Sequence, residues 1–412
     1  MKLISQHLDK DGCGSIKLEP QEPADLWHAY NLIQPGDKLR APTFRRITKD
    51  NKGQDNDADA AAAVASGSGK AGSRISLVLG ITVIKTDFDP DGGALHASGQ
   101  VSDESPHVRV GAHHTLDLSL HRAFTLTKTF EAPWDSVSLQ TVQAACDPAA
   151  GAEVGAVVLQ QSGLANVCLV TEHMTLVRQR IDVSIPRKRA AATGSAPSSA
   201  HDRAVGRFYD TVVDAMSRHF DYSTLKAVVL ASPGFSAGQL LQRVMDHATK
   251  QGLAAVLRAK PKFVVVSCGS GHVHALNQVL REPAVMAKLA DTKFARETVA
   301  LNRFFAALND ADAGKAWYGP NHVHAAVRAG AVQTLLISDR LFRHVNDVRL
   351  RRHYVDMVDQ VRAVGGEVLV FSSLHESGKQ LDQFTGVAAI LRFAMPELED
   401  IDSESDDEND GS

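Results

Sequence analysis

Several short segments carry residue types that could do chemistry. Ser267-Cys268-Gly269-Ser270-Gly271-His272 sets two potential nucleophiles among small residues, the raw material of covalent catalysis. It lacks the G-x-S-x-G arrangement that exposes a nucleophile on a sharp turn, and no base with an orienting partner is evident, so the segment reads as an interdomain hinge. Gly67-Ser68-Gly69-Lys70 superficially resembles a phosphate loop, but Ala71 stands where the magnesium-binding hydroxyl belongs and no strand leads in. The pairs His272/His274 and His322/His324 are two residues apart, a spacing that on a helix points them in different directions, so a metal would need distant partners. The metal ligands, if any, are unknown from the sequence.

Basic clusters are more informative. Arg178, Arg180, Arg187, Lys188 and Arg189 against Asp182 give +4 within twelve residues. Such a cluster reaches phosphates or an acidic protein face, or remains a solvated edge. Arg45, Arg46, Lys49 and Lys52 form a second cluster at the base of a long loop. Along a strand, Arg45 and Lys49 share one face while Arg46 takes the other. Ser232-Pro233-Gly234-Phe235 follows an apolar strand and opens a helix; Pro233 and Gly234 make the turn, and Phe235 reads as a hydrophobic staple rather than an exposed contact.

The elements that position these residues occupy 412 residues, enough for two to four domains, which excludes a single small binding module. The net charge of −4 hides a division. Residues 397–412 hold nine acids and no base; without them 44 bases face 39 acids, a net +5. A mildly basic body permits a polyanionic partner. Cys13, Cys146, Cys168 and Cys268 lie far apart and form no CxxC pair, so neither a disulfide framework nor a cysteine-rich zinc site is suggested, and a reducing, cytoplasmic setting is expected. No apolar run approaches the ~18 residues that cross a bilayer, no secretory signal opens the chain, and no feature demands an oligomer, so a monomer is expected.

Residues 1–139 read as β-rich, with strands over 37–49, 74–87 and 123–130, one helix begun by Pro23, and a mobile loop over 50–73. From 140 the pattern becomes strands at 154–159, 164–171 and 175–183. A flexible stretch and an amphipathic helix from about 199 follow, then a strand, helix and strand ending near Gly271. Residues 272–396 alternate helices with short apolar strands, a three-layer α/β sandwich, and 397–412 form a disordered acidic tail.

Met1-Lys2-Leu3-Ile4, the segment from Glu22 to Leu32, Ile185-Pro186-Arg187-Lys188-Arg189, Ala231-Ser232-Pro233-Gly234-Phe235, Leu335-Leu336-Ile337-Ser338-Asp339 and Thr385 to Phe393 closely resemble the Pelota family of ribosome-rescue factors, related to eukaryotic class-1 release factors. The resemblance runs from residue 1 to about 398. It implies a multidomain α+β chain: an N-terminal Sm-like β barrel domain followed by two α/β domains like the release-factor central and C-terminal domains. It implies a factor that enters the empty A site of a stalled ribosome with an elongation-factor-like translational GTPase. Together with a recycling ABC ATPase it would promote subunit dissociation, feeding no-go and non-stop mRNA decay.

The resemblance places Arg45, Arg46, Lys49 and Lys52 toward rRNA and the mRNA channel. It places Arg187, Lys188, Arg189, Pro233, Gly234 and Phe235 toward the GTPase or the tRNA-shaped space. Class-1 release factors carry Gly-Gly-Gln after the basic stretch, to position water against the peptidyl-tRNA ester. Here that position reads Ala190-Ala191-Ala192-Thr193-Gly194-Ser195, and neither Gly92-Gly93 nor Gly365-Gly366 precedes Gln, so no peptide release is expected. The resemblance implies no required cofactor and leaves a divalent metal cation open. The alternative is a metal-dependent endoribonuclease. It would need convergent carboxylates, and its candidates Asp87, Asp89 and Asp91 sit in a run that reads as a hairpin loop.

Overall fold

The computed structural model describes residues 1–47, 73–90, 92–104, 108–147, 153–171, 173–186, 198–289, 292–309, 314–343 and 348–400. The chain divides into two compact units, Met1–Cys146 and Asp147–Ser412.

The first unit runs β1 (Lys2–Leu8), β2 (Gly14–Glu19), α1 (Pro23–Leu32), β3 (Lys38–Ile47), β4 (Ser73–Asp89), β5 (Ala94–Val101), β6 (His113–Leu118), β7 (Phe124–Lys128) and α2 (Ser136–Cys146). Its seven strands lie in the order β1-β2-β7-β3-β4-β5-β6. No backbone ladder among the described residues joins β6 to β1, so barrel closure by strand pairing is not seen there. The β3 to β6 meander still curls enough for Thr43 Oγ1 to lie 3.1 Å from His114 Nε2, a side-chain contact in place of strand pairing. The boundary expected after residue 139 falls inside α2, whose Val142 joins the first unit's core. α1 begins as its sequence dictates: Pro23 occupies the first turn, and Glu22 and Asp25 form a reciprocal capping box.

A buried ion pair ties this unit together. Lys128 Nζ lies 2.7 Å from Asp37 Oδ2, with each side chain only 1% exposed. The same ammonium donates to the Leu32 carbonyl at 2.9 Å and stands 5.6 Å from the centre of the Trp134 ring. One cation thus joins the end of α1, the start of β3, the end of β7 and the approach to α2.

The second unit continues β8 (Val154–Gln160), β9 (Leu164–Val170), β10 (Thr175–Asp182), α3 (Ser198–His219), β11 (Ala227–Ser232), α4 (Ser236–Gln251), α5 (Ala254–Arg258), β12 (Phe263–Ser267), α6 (Ala275–Leu280) and α7 (Pro283–Lys288). Its central sheet has the order β10-β9-β8-β11-β12. β8 and β11 are parallel, as are β11 and β12, whereas β9 runs antiparallel to β8. Every residue of β9 and β11 is buried, because helices cover both faces. Val157, Leu159, Val167 and Leu230 pack under α3 and α4, while Ala156, Val158, Val229 and Ala231 pack against α6 and α7.

The chain then forms α8 (Lys293–Leu308), β13 (Ala316–Tyr318), α9 (Pro320–Arg328), β14 (Val332–Ser338), α10 (Asp339–Phe342), α11 (Val348–Ala363), β15 (Glu367–Phe371), α12 (Glu376–Asp382) and β16 (Val387–Leu391). The second sheet has the order β13-β16-β14-β15. α8 and α12 cover the face of Leu336, Ala388 and Ile390. Leu335 and Ile337, which alternate with Leu336, are fully buried as well, and α9 and α11 contact β16 and β14, completing three layers. The tail expected to be disordered from 397 instead starts with one tight turn over Pro396–Asp400, because Leu398 is buried, 3% exposed; residues 401–412 lie outside the described residues.

Asp37→Asn leaves the buried Lys128 ammonium without its counter-charge. Urea unfolding of the full chain is expected to show the first unit destabilised by about 3–5 kcal/mol. An unchanged midpoint would mean that the pair does not hold the unit together.

Candidate functional site

The parallel strands β8, β11 and β12 all end at the same rim of the central sheet. Antiparallel β10 also finishes there, since Asp182 pairs with Leu164 at the start of β9. In open α/β sheets the carboxyl ends of the parallel strands are where loops converge on ligands and partners. Four loops meet at this rim.

Ser232 ends β11 fully buried. Its hydroxyl accepts from the Ala237 amide at 2.9 Å and donates to the Gly234 carbonyl at 3.4 Å, closing the Pro233-Gly234 turn over the first turn of α4. Gly234 has φ +74°, a left-handed conformation that a side chain disfavours. The turn throws Phe235 outward, 87% exposed, so the staple expected from the sequence is not formed. Its ring is an exposed apolar contact on a stiff mount.

The β8–β9 turn stands beside it. A Cβ added at Gly234 would lie 4.0 Å from Gln161 Nε2, and the Gly163 carbonyl accepts from the Val183 amide at 2.9 Å as the chain leaves β10. Three residues after Val183, the Pro186 carbonyl accepts from His201 Nδ1 of α3 at 2.7 Å. The chain is therefore pinned just before Arg187, Lys188 and Arg189 and again just after Ser198, both at this rim. Arg187, Lys188 and Arg189 themselves lie outside the described residues.

The Ser267-to-His272 segment is the fourth loop. Burial pushes the Cys268 thiol up, and its Sγ donates to the Ser270 carbonyl at 3.1 Å. Ser270 Oγ is 3.2 Å from His274 Nε2, but His274 has no carboxylate partner among the described residues to orient it. Gly271 is required by close approach: a Cβ there would meet Gln160 Cβ at 2.5 Å, while its carbonyl accepts from Asn166 Nδ2 at 3.0 Å. The segment packs the rim together.

The opposite end of the central sheet is docked, not free. The His375 imidazole, 4% exposed, donates through Nε2 to the Thr171 carbonyl at 3.2 Å, and Ser372 Oγ donates to the His173 carbonyl at 2.7 Å. Asp339 holds that docking loop, accepting from the Ser373 amide at 3.1 Å and from Arg343 Nη2 at 3.3 Å. Burial raises the Asp339 carboxyl, partly offset by Arg343.

In the first unit, Arg45 and Arg46 lie on β3, paired with Ile75 and Arg74 of β4, while Lys49, Lys52 and the loop over 48–72 lie outside the described residues. Sequence reasoning missed Phe44 beside them, 53% exposed, with Arg122 5.1 Å over its ring. Asp87 and Asp89 lie two apart on β4, opposite His96 and Ala94, in a hairpin; Asp91 is outside the described residues. The His272 and His274 rings stack at 5.7 Å because they lie in a loop rather than a helix, His322 stacks on Trp317, and His324 lies 4.4 Å from His353. Among the described residues no three His, Cys, Asp or Glu side chains group so as to hold a metal ion, and no helix is long and apolar enough to cross a membrane.

Comparison with known proteins places this architecture. Residues 1–146 match the Pelota N-terminal domain, 153–291 match eRF1 domain 2 and 294–395 match eRF1 domain 3. The chain is 45% identical to protein dom34 of Schizosaccharomyces pombe over 99% of this chain and 98% of that one. It is 43% identical to protein pelota of Drosophila melanogaster over 98% and 95% of the two chains. Among solved structures, Saccharomyces cerevisiae Dom34 is similar with a TM-score of 0.55 and 28% identity, over 97% of this chain and 100% of that one. That protein is described as a translation termination-like factor involved in RNA quality control pathways and interacting with Hbs1. The Thermoplasma acidophilum Pelota protein shares the fold, with a TM-score of 0.61 at 16% identity over 96% of this chain and 100% of that one.

Ser232→Ala removes the hydroxyl that closes the turn and is expected to cost about 1–2 kcal/mol. Phe235→Ala, at a solvated ring, should leave stability within about 0.5 kcal/mol of wild type. Thermal unfolding of both variants checks the pair; a Phe235→Ala loss as large as that of Ser232→Ala would mean that the ring is part of the core.

Proposed function

The chain belongs to the Pelota family, and from that premise we propose that it is a cytoplasmic ribosome-rescue factor that acts as an adaptor and performs no hydrolysis itself. It occupies the vacant A site of a stalled ribosome, recruits an elongation-factor-like translational GTPase, and with a recycling ABC ATPase promotes subunit dissociation that feeds no-go and non-stop decay. The observation that carries this reading is the full-length family match joined to a missing tip. Domains like those of a class-1 release factor are present in order, yet Ala190-Ala191-Ala192-Thr193-Gly194-Ser195 stands where Gly-Gly-Gln would position water. The reading requires no metal or cofactor of the chain's own.

The free rim of the central sheet supplies the GTPase contact in this reading. Phe235 is the apolar anchor, mounted on the Pro233-Gly234 turn, and Arg187, Lys188 and Arg189 add charge from the adjoining segment. Arg45, Arg46, Lys49 and Lys52 serve rRNA and the mRNA channel. The endoribonuclease alternative is not carried forward, since Asp87 and Asp89 sit in the β4–β5 hairpin and, among the described residues, belong to no group of three metal-ligating side chains.

Co-purification of the full chain with its GTPase at low and high salt separates the two contributions. Phe235→Ala is expected to weaken binding about tenfold at either salt, as for a central aromatic anchor. Changing Arg187, Lys188 and Arg189 to Ala should cost most at low salt and progressively less as ions screen the charge. On reconstituted stalled ribosomes with the GTPase and the ATPase, subunits should separate with the nascent chain still esterified. Nascent chains liberated by the pure factor alone would sink the reading.

A further inference from the structure

The central sheet has a free edge that the preceding site does not use. Among the described residues β10 pairs only with β9, and its ladder slips between Val177 and Gln179, so Arg178 is an extra residue with no ladder partner opposite. A bulge of this kind re-aims side chains. Val177, 44% exposed, and Arg178 are exposed in succession, and Arg180 is exposed two residues further along the same face. The last turn of α3 packs beside this edge, with His219 Nε2 3.3 Å from Gln179 Oε1. It brings Arg218, which is exposed and engages the Asp214 carbonyl through Nε at 3.3 Å.

Positive charge is in excess here, with Arg178, Arg180 and Arg218 against Asp182 and Asp214. Arg178 and Arg180 make no ion pair among the described residues; the acids nearest in the chain, Asp182 at the end of β10 and Asp214 one turn back on α3, are exposed. Partial burial, and then the guanidinium groups of Arg178 and Arg218, hold His219 below its ordinary range, so the two arginines act on one point from two different elements. Nothing in the sequence spacing shows this, since α3 contributes its residues 40 positions after β10 contributes Gln179.

We propose that the β10 edge and the last turn of α3 form an RNA phosphate-backbone site, in which Arg178 and Arg180, flanked by Arg218, take successive phosphates of a ribosomal RNA strand. The proposal rests on the ribosome reading above. RNA fits better than an acidic protein for two reasons. Arg178 and Arg180 repeat at roughly 7 Å along an extended strand, a row suited to a regular polyanion and to the forked donors of arginine. The edge also offers a single exposed apolar side chain, Val177, where a protein interface needs a cluster of apolar or aromatic anchors.

The test measures binding of the full chain to a short labelled RNA hairpin across a salt series, and pelleting with ribosomes that have a vacant A site. Changing Arg178 and Arg180 together to Ala is expected to weaken hairpin binding about tenfold near 0.1 M salt and to lower the slope of log K against log salt by about 1–2. Changing both to Lys should keep most of the slope, which a loss of folding would not. Equal affinity and slope for wild type and the Ala variant would overturn the proposal. So would a polyglutamate peptide bound as tightly as the hairpin and lost to the same extent. If wild type pellets with ribosomes and the Ala variant pellets equally well, this inference fails while the rescue reading stands. If wild type does not pellet, the rescue reading fails, and the hairpin slope still decides whether the edge takes phosphates.

Discussion

A strand buried on both faces can meet the outside only at its ends, or along its edge if it is the last in the sheet. β9 and β11 of the central sheet have no exposed residue, and β8 has only a half-buried one at its end, so these three strands cannot place a binding side chain on a face. At about 3.3 Å per residue, strands of six or seven residues hold the two ends of this sheet roughly 20 Å apart. One end is committed to the following domain through Thr171, His173, Ser372 and His375; the other gathers Phe235, the Ser267-to-His272 loop and the anchor points of the Arg187-to-Arg189 segment. Separation of a docked end from a free one follows from burial before any partner is considered.

Most of the strands and long helices of the second unit were legible because burial writes itself into composition. Continuous apolar runs such as Val154 to Leu159 and Ala227 to Ala231 leave no polar face, and the three-to-four spacing of Phe208, Val212, Val213 and Met216 marks α3. β1, β2, β5 and β6 were not marked out, since strands of a one-sided sheet mix charged and histidine residues into their outer faces, as in the exposed and buried alternation of His113–Leu118. Closure of the first sheet was also beyond reach: whether β6 meets β1 depends on accumulated twist, which no local pattern encodes.

The site residues divide along the same line. The turn at Pro233-Gly234 follows from local chemistry, but the outward direction of Phe235 depends on Ser232 being buried and bonded to Ala237, a fact of packing. Lys128 and Asp37 would each be assigned to the surface on residue type alone, and their separation of 91 residues conceals that they meet in the core. The β10 edge was half visible: Arg178 and Arg180 stood out as a run, whereas Arg218 and His219 reach them only through the packing of α3.

An unpaired strand edge invites association with other chains, and proteins commonly blunt it with charge or a bulge. β10 has both, in Arg178, Arg180 and the slip at Val177. In the proposal made above, the same arginines that blunt the edge against strand pairing would also take phosphate. The chemistry of the free rim points the same way. Cys268 is a proton donor rather than a thiolate, and Ser270 and His274 lack an orienting acid among the described residues. Charge and an exposed ring can hold and orient a large polyanionic assembly, but static contacts of this kind perform no cyclic work. In the proposed reading, the energy that separates ribosomal subunits enters through the nucleotide hydrolysis of recruited partners, and the adaptor supplies geometry.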